Sequence, residues 1–292
     1  LPGGTYGCNS GTSMAAPHVA GSMAVLMERF PYMTGAQVAS VLRTTATDLG
    51  APGVDSLYGW GMINLRKGID GPAMFVTEQD IPEEFRIQGA YGSSQFVADL
   101  PGIGAIIDAG KPTERVCNDV HCGLDTWRND ISGHGGLTKQ GIGTLVLTGA
   151  NTYAGPTLVN QGRLAINGSL LSAVTVNSSG ILGGNGSIAA LTAKSGGTVA
   201  PGNSIGTLQV AGDVTFESGS TYAVELSPTS SDQIIATGKA AIEGATVSLS
   251  LENSPTLLTT NEVQSLLGTR YNILQAAGGI EGRFGQVLPD YA

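Results

Sequence analysis

Gly143-Thr144-Leu145-Val146-Leu147-Thr148-Gly149 sets the pattern from which the fold of this chain is read. A short run alternates apolar and small polar residues between two glycines. The phrase returns as Gly162-Arg163-Leu164-Ala165-Ile166-Asn167-Gly168 and as Gly206-Thr207-Leu208-Gln209-Val210-Ala211-Gly212. Glycines that precede such runs stand at 143, 162, 180, 197, 219 and 244, a loose period of about 20 residues. Alternation with a period of two is the signature of a strand with one face buried. A strand that recurs once per period cannot bury that face alone. Stacking successive turns about 4.8 Å apart covers it with a continuous column of Leu, Val and Ile. The expected fold from residue 135 onward is therefore an all-β solenoid. A β-sandwich also has short, evenly spaced strands, but its core is usually richer in aromatic residues than this chain.

Composition agrees with a small-residue β fold. Of 292 residues, 44 are glycine, 5% are aromatic and 13% are charged, the last about half the usual share of about 25%. The formal net charge of −9 repels phosphate backbones, which argues against a nucleic-acid partner. No apolar run reaches the ~18 residues of a membrane-spanning helix.

Residues 1–72 read differently. Val19, Met23, Leu26, Met27 and Phe30 recur at helical spacing from Ser13 onward, with Pro17 in the first turns and Pro31 as the stop. Thr34 and Gln37 are spaced as a capping box, followed by the apolar face Val38, Val41, Leu42. Asn64 is placed to cap a last short helix near Gly68. Residues 73–134 lack a clear period and hold charge clusters at Glu78–Arg86 and Lys111–Arg115. They read as a linker region with strands. Thr259 to Gly268 reads as one short capped helix. The expected domains are thus 1–72, 73–134 and 135–292.

Two segments carry a resemblance. Gly11-Thr12-Ser13-Met14-Ala15-Ala16-Pro17-His18-Val19-Ala20-Gly21 resembles the nucleophile motif of the subtilisin-like serine proteases, the subtilases, and Tyr58-Gly59-Trp60-Gly61-Met62-Ile63-Asn64 resembles their closing segment. The stretch Gly141–Gly155 is similar to the autotransporter-associated β-strand repeat of Gram-negative passenger domains, and Thr198–Leu208 to their C-terminal part. The resemblance implies a C-terminal piece of an α/β subtilase domain followed by a right-handed parallel β-helix, with about 205–292 autochaperone-like. It implies a serine endopeptidase acting on surface or extracellular proteins, secreted or held at the Gram-negative outer membrane. A β-barrel translocator is expected downstream.

Peptide hydrolysis needs a nucleophile, a base and oxyanion donors. Ser13 is the expected nucleophile, its own N–H the expected oxyanion donor. His18 lies on the same helix and is expected to be structural. His121 and His134 have no acidic partner at suggestive spacing. In subtilases the chain order is Asp, His, Ser, so the acid, the base and the oxyanion-hole Asn are expected ahead of Leu1. The chain is then a fragment, inactive alone. No cofactor is called for, and the resemblance leaves room for a structural calcium only in that preceding part.

Of the three cysteines, Cys117 and Cys122 enclose a short loop suited to a disulfide. A metal site with His121 is the rival, although it lacks a fourth ligand. Cys8 is left over. Two other functions remain open to the sequence. One is a β-helix adhesin or scaffold carrying a protease remnant. The other is a glycan-active enzyme using Asp213, Glu217, Glu225 or Asp232, whose spacing matches no template.

Overall fold

A computed structural model describes residue 4 and residues 7–87, 94–107, 115–252 and 258–289. It is built mostly of parallel β-sheet with a few helices. Most of the Lys111–Arg115 charge cluster falls outside the described residues.

Three helices come first. The first, α1, spans Thr12–Arg29 and ends where Phe30 and Pro31 leave the helical conformation. The second, α2 (Gly35–Thr44), starts at the expected capping box: Thr34 accepts from the Gln37 N–H, and the Gln37 side chain takes the Thr34 N–H. Its face Val38, Val41, Leu42 is buried. The short α3 (Leu65–Gly68) is capped by Asn64, which accepts from the Lys67 N–H.

Beyond them the chain alternates between two parallel sheets of eight and twelve described strands. The eight-stranded sheet is Leu124–Trp127, Thr144–Leu147, Gly162–Ile166, Gly180–Gly183, Thr198–Val199, Thr221–Leu226, Thr246–Leu251 and Gln286–Leu288, paired in that order. Gly143, Gly162, Gly180 and Gly197 open or directly precede one of its strands, and Gly219 and Gly244 stand two residues before one. Between these visits the chain crosses to the other sheet, through Gln95–Asp99, Gly136–Gln140, Thr157–Val159, Ser169–Val176, Ser187–Ala193, Thr207–Val210, Gln233–Ala236 and Leu274–Ala276. Segment 73–134 therefore contributes strands of its own to the start of both ladders. A last helix, α4 (Thr260–Leu266), starts at a Thr259–Glu262 capping box.

Register turns alternation into columns. Leu145, Leu164, Leu182, Val199, Tyr222 and Val247 are direct partners from strand to strand, and all are buried. Burying each such side chain contributes about 1.5–3 kcal/mol. Corners repeat as well. Gly196, Gly219 and Gly244 take φ of 77°, 81° and 74°, and Ser179 holds the same left-handed conformation at 70°. One hydrophobic core runs without a break from Leu26 and Phe30 of the helical segment to Leu274.

Candidate active site

The start of α1 is set by Gly11. Its φ of 136° is a conformation that disfavours any side chain, and its carbonyl accepts from the Met14 and Ala15 N–H groups at 3.0 and 3.2 Å. Ser13 is the second residue of the helix and is exposed. A helix that starts at Thr12 leaves the Ser13 N–H without an intrahelical acceptor. Pro17, lacking an N–H, also leaves the Ser13 carbonyl without its helical donor. No acidic side chain lies in the first turn, so the positive end of the helix dipole is not offset there. A hydroxyl, an N–H without a helical acceptor and a favourable dipole stand together at one exposed point.

The base is a separate question. The His18 ring is turned onto its own helix, where Nδ1 donates to the Met14 carbonyl at 2.6 Å. The His18 carbonyl in turn accepts from Ser22 Oγ at 2.7 Å. For the other two histidines the structure corrects the sequence reading, because both have an aspartate partner. His121 Nδ1 meets Asp119 Oδ1 at 2.6 Å and His134 Nδ1 meets Asp80 Oδ1 at 2.7 Å. Asp80 lies far from His134 in sequence, so only folding joins them. Burial pushes the Asp80 carboxyl up, but hydrogen bonds from Thr77 and His134 outweigh it and hold the group below its ordinary value. The His121 N–H does the same for Asp119. Among the described residues, neither dyad makes a hydrogen bond to Ser13.

Cys117 and Cys122 are joined in a disulfide with their Cα atoms 6.4 Å apart, and both are buried. Cys8 is exposed and unpaired. Among the described residues no group of three His, Cys, Asp or Glu side chains is placed to hold a metal ion.

The acidic residues of the solenoid fall into structural roles. Glu217 pairs with Lys194, and Asp213 accepts from the Lys239 N–H at 2.8 Å. Asp232 takes the N–H groups of Gly206 and Glu225, each at 2.8 Å. Glu225 and Asp232 do share a cleft of about 270 Å³ with Arg163, a proximity that their spacing did not disclose. Burial pushes the Asp232 carboxyl up to about 6.

With this geometry in place, comparison with known proteins adds the class. Residues 1–61 match the subtilase family and residues 137–166 the passenger-associated-transport-repeat. The chain thus resembles the subtilisin-like serine protease autotransporters, with the protease sequence first and the passenger sequence after it. It is 53% identical over 286 residues to an extracellular serine protease of Serratia marcescens, covering 98% of this chain and 27% of that protein. It is 36% identical over 178 residues to the Neisserial autotransporter lipoprotein NalP of Neisseria meningitidis, 61% of this chain and 13% of that protein. The helical segment alone is 52% identical over 66 residues to a subtilisin of Bacillus pumilus, 23% of each. The chain spans about a quarter of the length of the Serratia relative.

Proposed function

We propose that this chain supplies the nucleophile segment of a subtilisin-like serine endopeptidase, carried on a right-handed parallel β-helix passenger. The observation that carries the reading is Ser13. It is exposed at the open start of α1, behind a glycine in a left-handed conformation, within the stretch that matches the subtilases. In this reading the Ser13 hydroxyl attacks the scissile carbonyl and its own N–H donates to the oxyanion. An acyl-enzyme forms and is hydrolysed by water. In the subtilase order the Asp, the His and the oxyanion-hole Asn precede the serine. Val19, Val25 and Met27 of α1 are exposed apolar side chains, a face that the rest of a catalytic domain would cover.

Substrates are proteins at or beyond the cell surface. The passenger is delivered by a downstream β-barrel and is secreted or kept at the Gram-negative outer membrane. Replacing Ser13 with alanine in the full-length protein is expected to lower turnover of a protein substrate by about a million-fold, the scale known for loss of a subtilisin nucleophile. The 292-residue chain alone is expected to show no peptidase activity. Undiminished cleavage by Ser13→Ala, or Ser13-dependent cleavage by the isolated chain, would overturn this assignment.

A further inference from the structure

The inward column of the eight-stranded sheet begins with an anomaly. Its first member, in register with Leu145, is Asp125. That side chain is 1% exposed, as enclosed as the leucines behind it. A carboxylate in such a place is strongly unfavourable unless it is paired and hydrogen-bonded.

The partner comes from α1. Arg29, in the last turn, clamps Asp125 at two points: Nη1 to Oδ2 at 3.0 Å and Nη2 to Oδ1 at 2.7 Å. Tyr32 Oη donates to Oδ2 at 2.5 Å, and Trp127 Nε1 donates to the Tyr32 hydroxyl at 3.0 Å. The Thr126 N–H meets Oδ1 at 2.7 Å. A two-point guanidinium–carboxylate contact sets orientation as well as distance. It is closed over by Phe30, whose ring lies 4.4 Å from the Arg29 guanidinium carbon.

Ser13 and Arg29 stand at opposite ends of this one helix, about 24 Å apart at 1.5 Å per residue. Fixing one end of the helix in position and direction restricts the other, with one backbone hydrogen bond between them removed at Pro17. We infer that Asp125 is a positioning residue for the nucleophile: through Arg29 it sets the axial placement and tilt of the helix that carries Ser13. The first strand of the eight-stranded sheet is then part of what aims the protease. This rests on the reading of Ser13 as the nucleophile.

The test uses the full-length protein with Asp125→Leu, which matches the inward residues of later strands, and Asp125→Asn, which keeps an oxygen for Arg29. Steady-state kinetics on a peptide substrate are corrected for the folded fraction by circular dichroism. Hydrogen exchange is followed in α1. A small misplacement of a reacting group can cost about a hundredfold in rate. Asp125→Leu is therefore expected to lower kcat ten- to a hundredfold with KM within about twofold. Asp125→Asn should fall less, and exchange in α1 should quicken in both. A contact that merely held the fold together would lower the folded fraction and leave kcat per folded molecule unchanged. That result in either variant overturns the inference. Should Asp125→Leu fail to accumulate, Asp125→Asn decides by the same readouts. If Ser13→Ala still cleaves, the protease reading fails by itself. The exchange data then judge the clamp alone, and unchanged protection of α1 overturns it.

Discussion

Asp125 and Asp232 are both shut away from solvent, and they are satisfied by different means. Asp125 has a cation and a phenol against it. Asp232 has two backbone N–H groups, with Arg163 and Glu225 in the same cleft. For Asp232 burial dominates, and its carboxyl rises to about 6, against an ordinary aspartate value near 4. The fold thus favours the neutral form. The stabilisation from protonation is complete below the unfolded value near 4 and is lost as pH rises through about 6. Wild type should gain in melting temperature relative to Asp232→Asn as pH falls from about 7.5 to about 4.5. A difference that stays constant across that window would place the titration elsewhere. Ser179 is a second residue with a local cost. It holds a φ of 70° where neighbouring turns use glycine, so Ser179→Gly should raise stability by up to about 1 kcal/mol in denaturant unfolding.

At the scale of elements, a strand here is stable only as a member of a column. Leu164 lies between Leu145 and Leu182 with no exposed surface. Leu164→Ala should cost about 2–5 kcal/mol, the usual range for a leucine cavity, seen as a lower denaturant midpoint with an unchanged slope. The columns were legible in sequence where a glycine marks the corner before each strand. Gly162 and Gly180 pair directly, and Gly219 and Gly244 sit at equivalent turns. The second sheet was harder to read, because strands such as Thr157–Val159 and Gln233–Ala236 begin without such a mark. The first strands were expected within residues 73–134 but could not be placed there. Gln95–Asp99 and Leu124–Trp127 are separated by an excursion that includes the cysteine pair, which breaks the period. Helix starts were readable because capping is local, as at Thr34 and Thr259. The Arg29–Asp125 clamp and the His134–Asp80 pair were not, since each joins residues more than fifty positions apart.

For the whole molecule the decisive property is that contacts run between nearest neighbours along the stack, while the helical segment shares the same core. Stability then approximates a sum of unit and interface terms. The two ends differ. At the first edge, side chains of the helical segment occupy the open strand groups: Gln37 Nε2 donates to the Val97 carbonyl at 2.5 Å, and Arg29 reaches the Thr126 carbonyl at 3.5 Å. At the other edge Ile280 and Val287 are exposed. Amide exchange is accordingly expected to be fastest in Ile280–Glu281 and Gln286–Leu288 and slowest in the central strands. Uniform protection along the stack would contradict this.

Parallel pairing between successive turns also has a mechanical meaning. The hydrogen bonds of each turn point toward the next, so tension on the C-terminal end strains only the outermost interface. That interface yields before its neighbour feels the pull. In a single-molecule stretching trace the stack would come apart as a sawtooth, each tooth lengthening the tether by roughly 70 Å for about 20 residues. The final rupture would be the salt-linked joint where the stack meets α1.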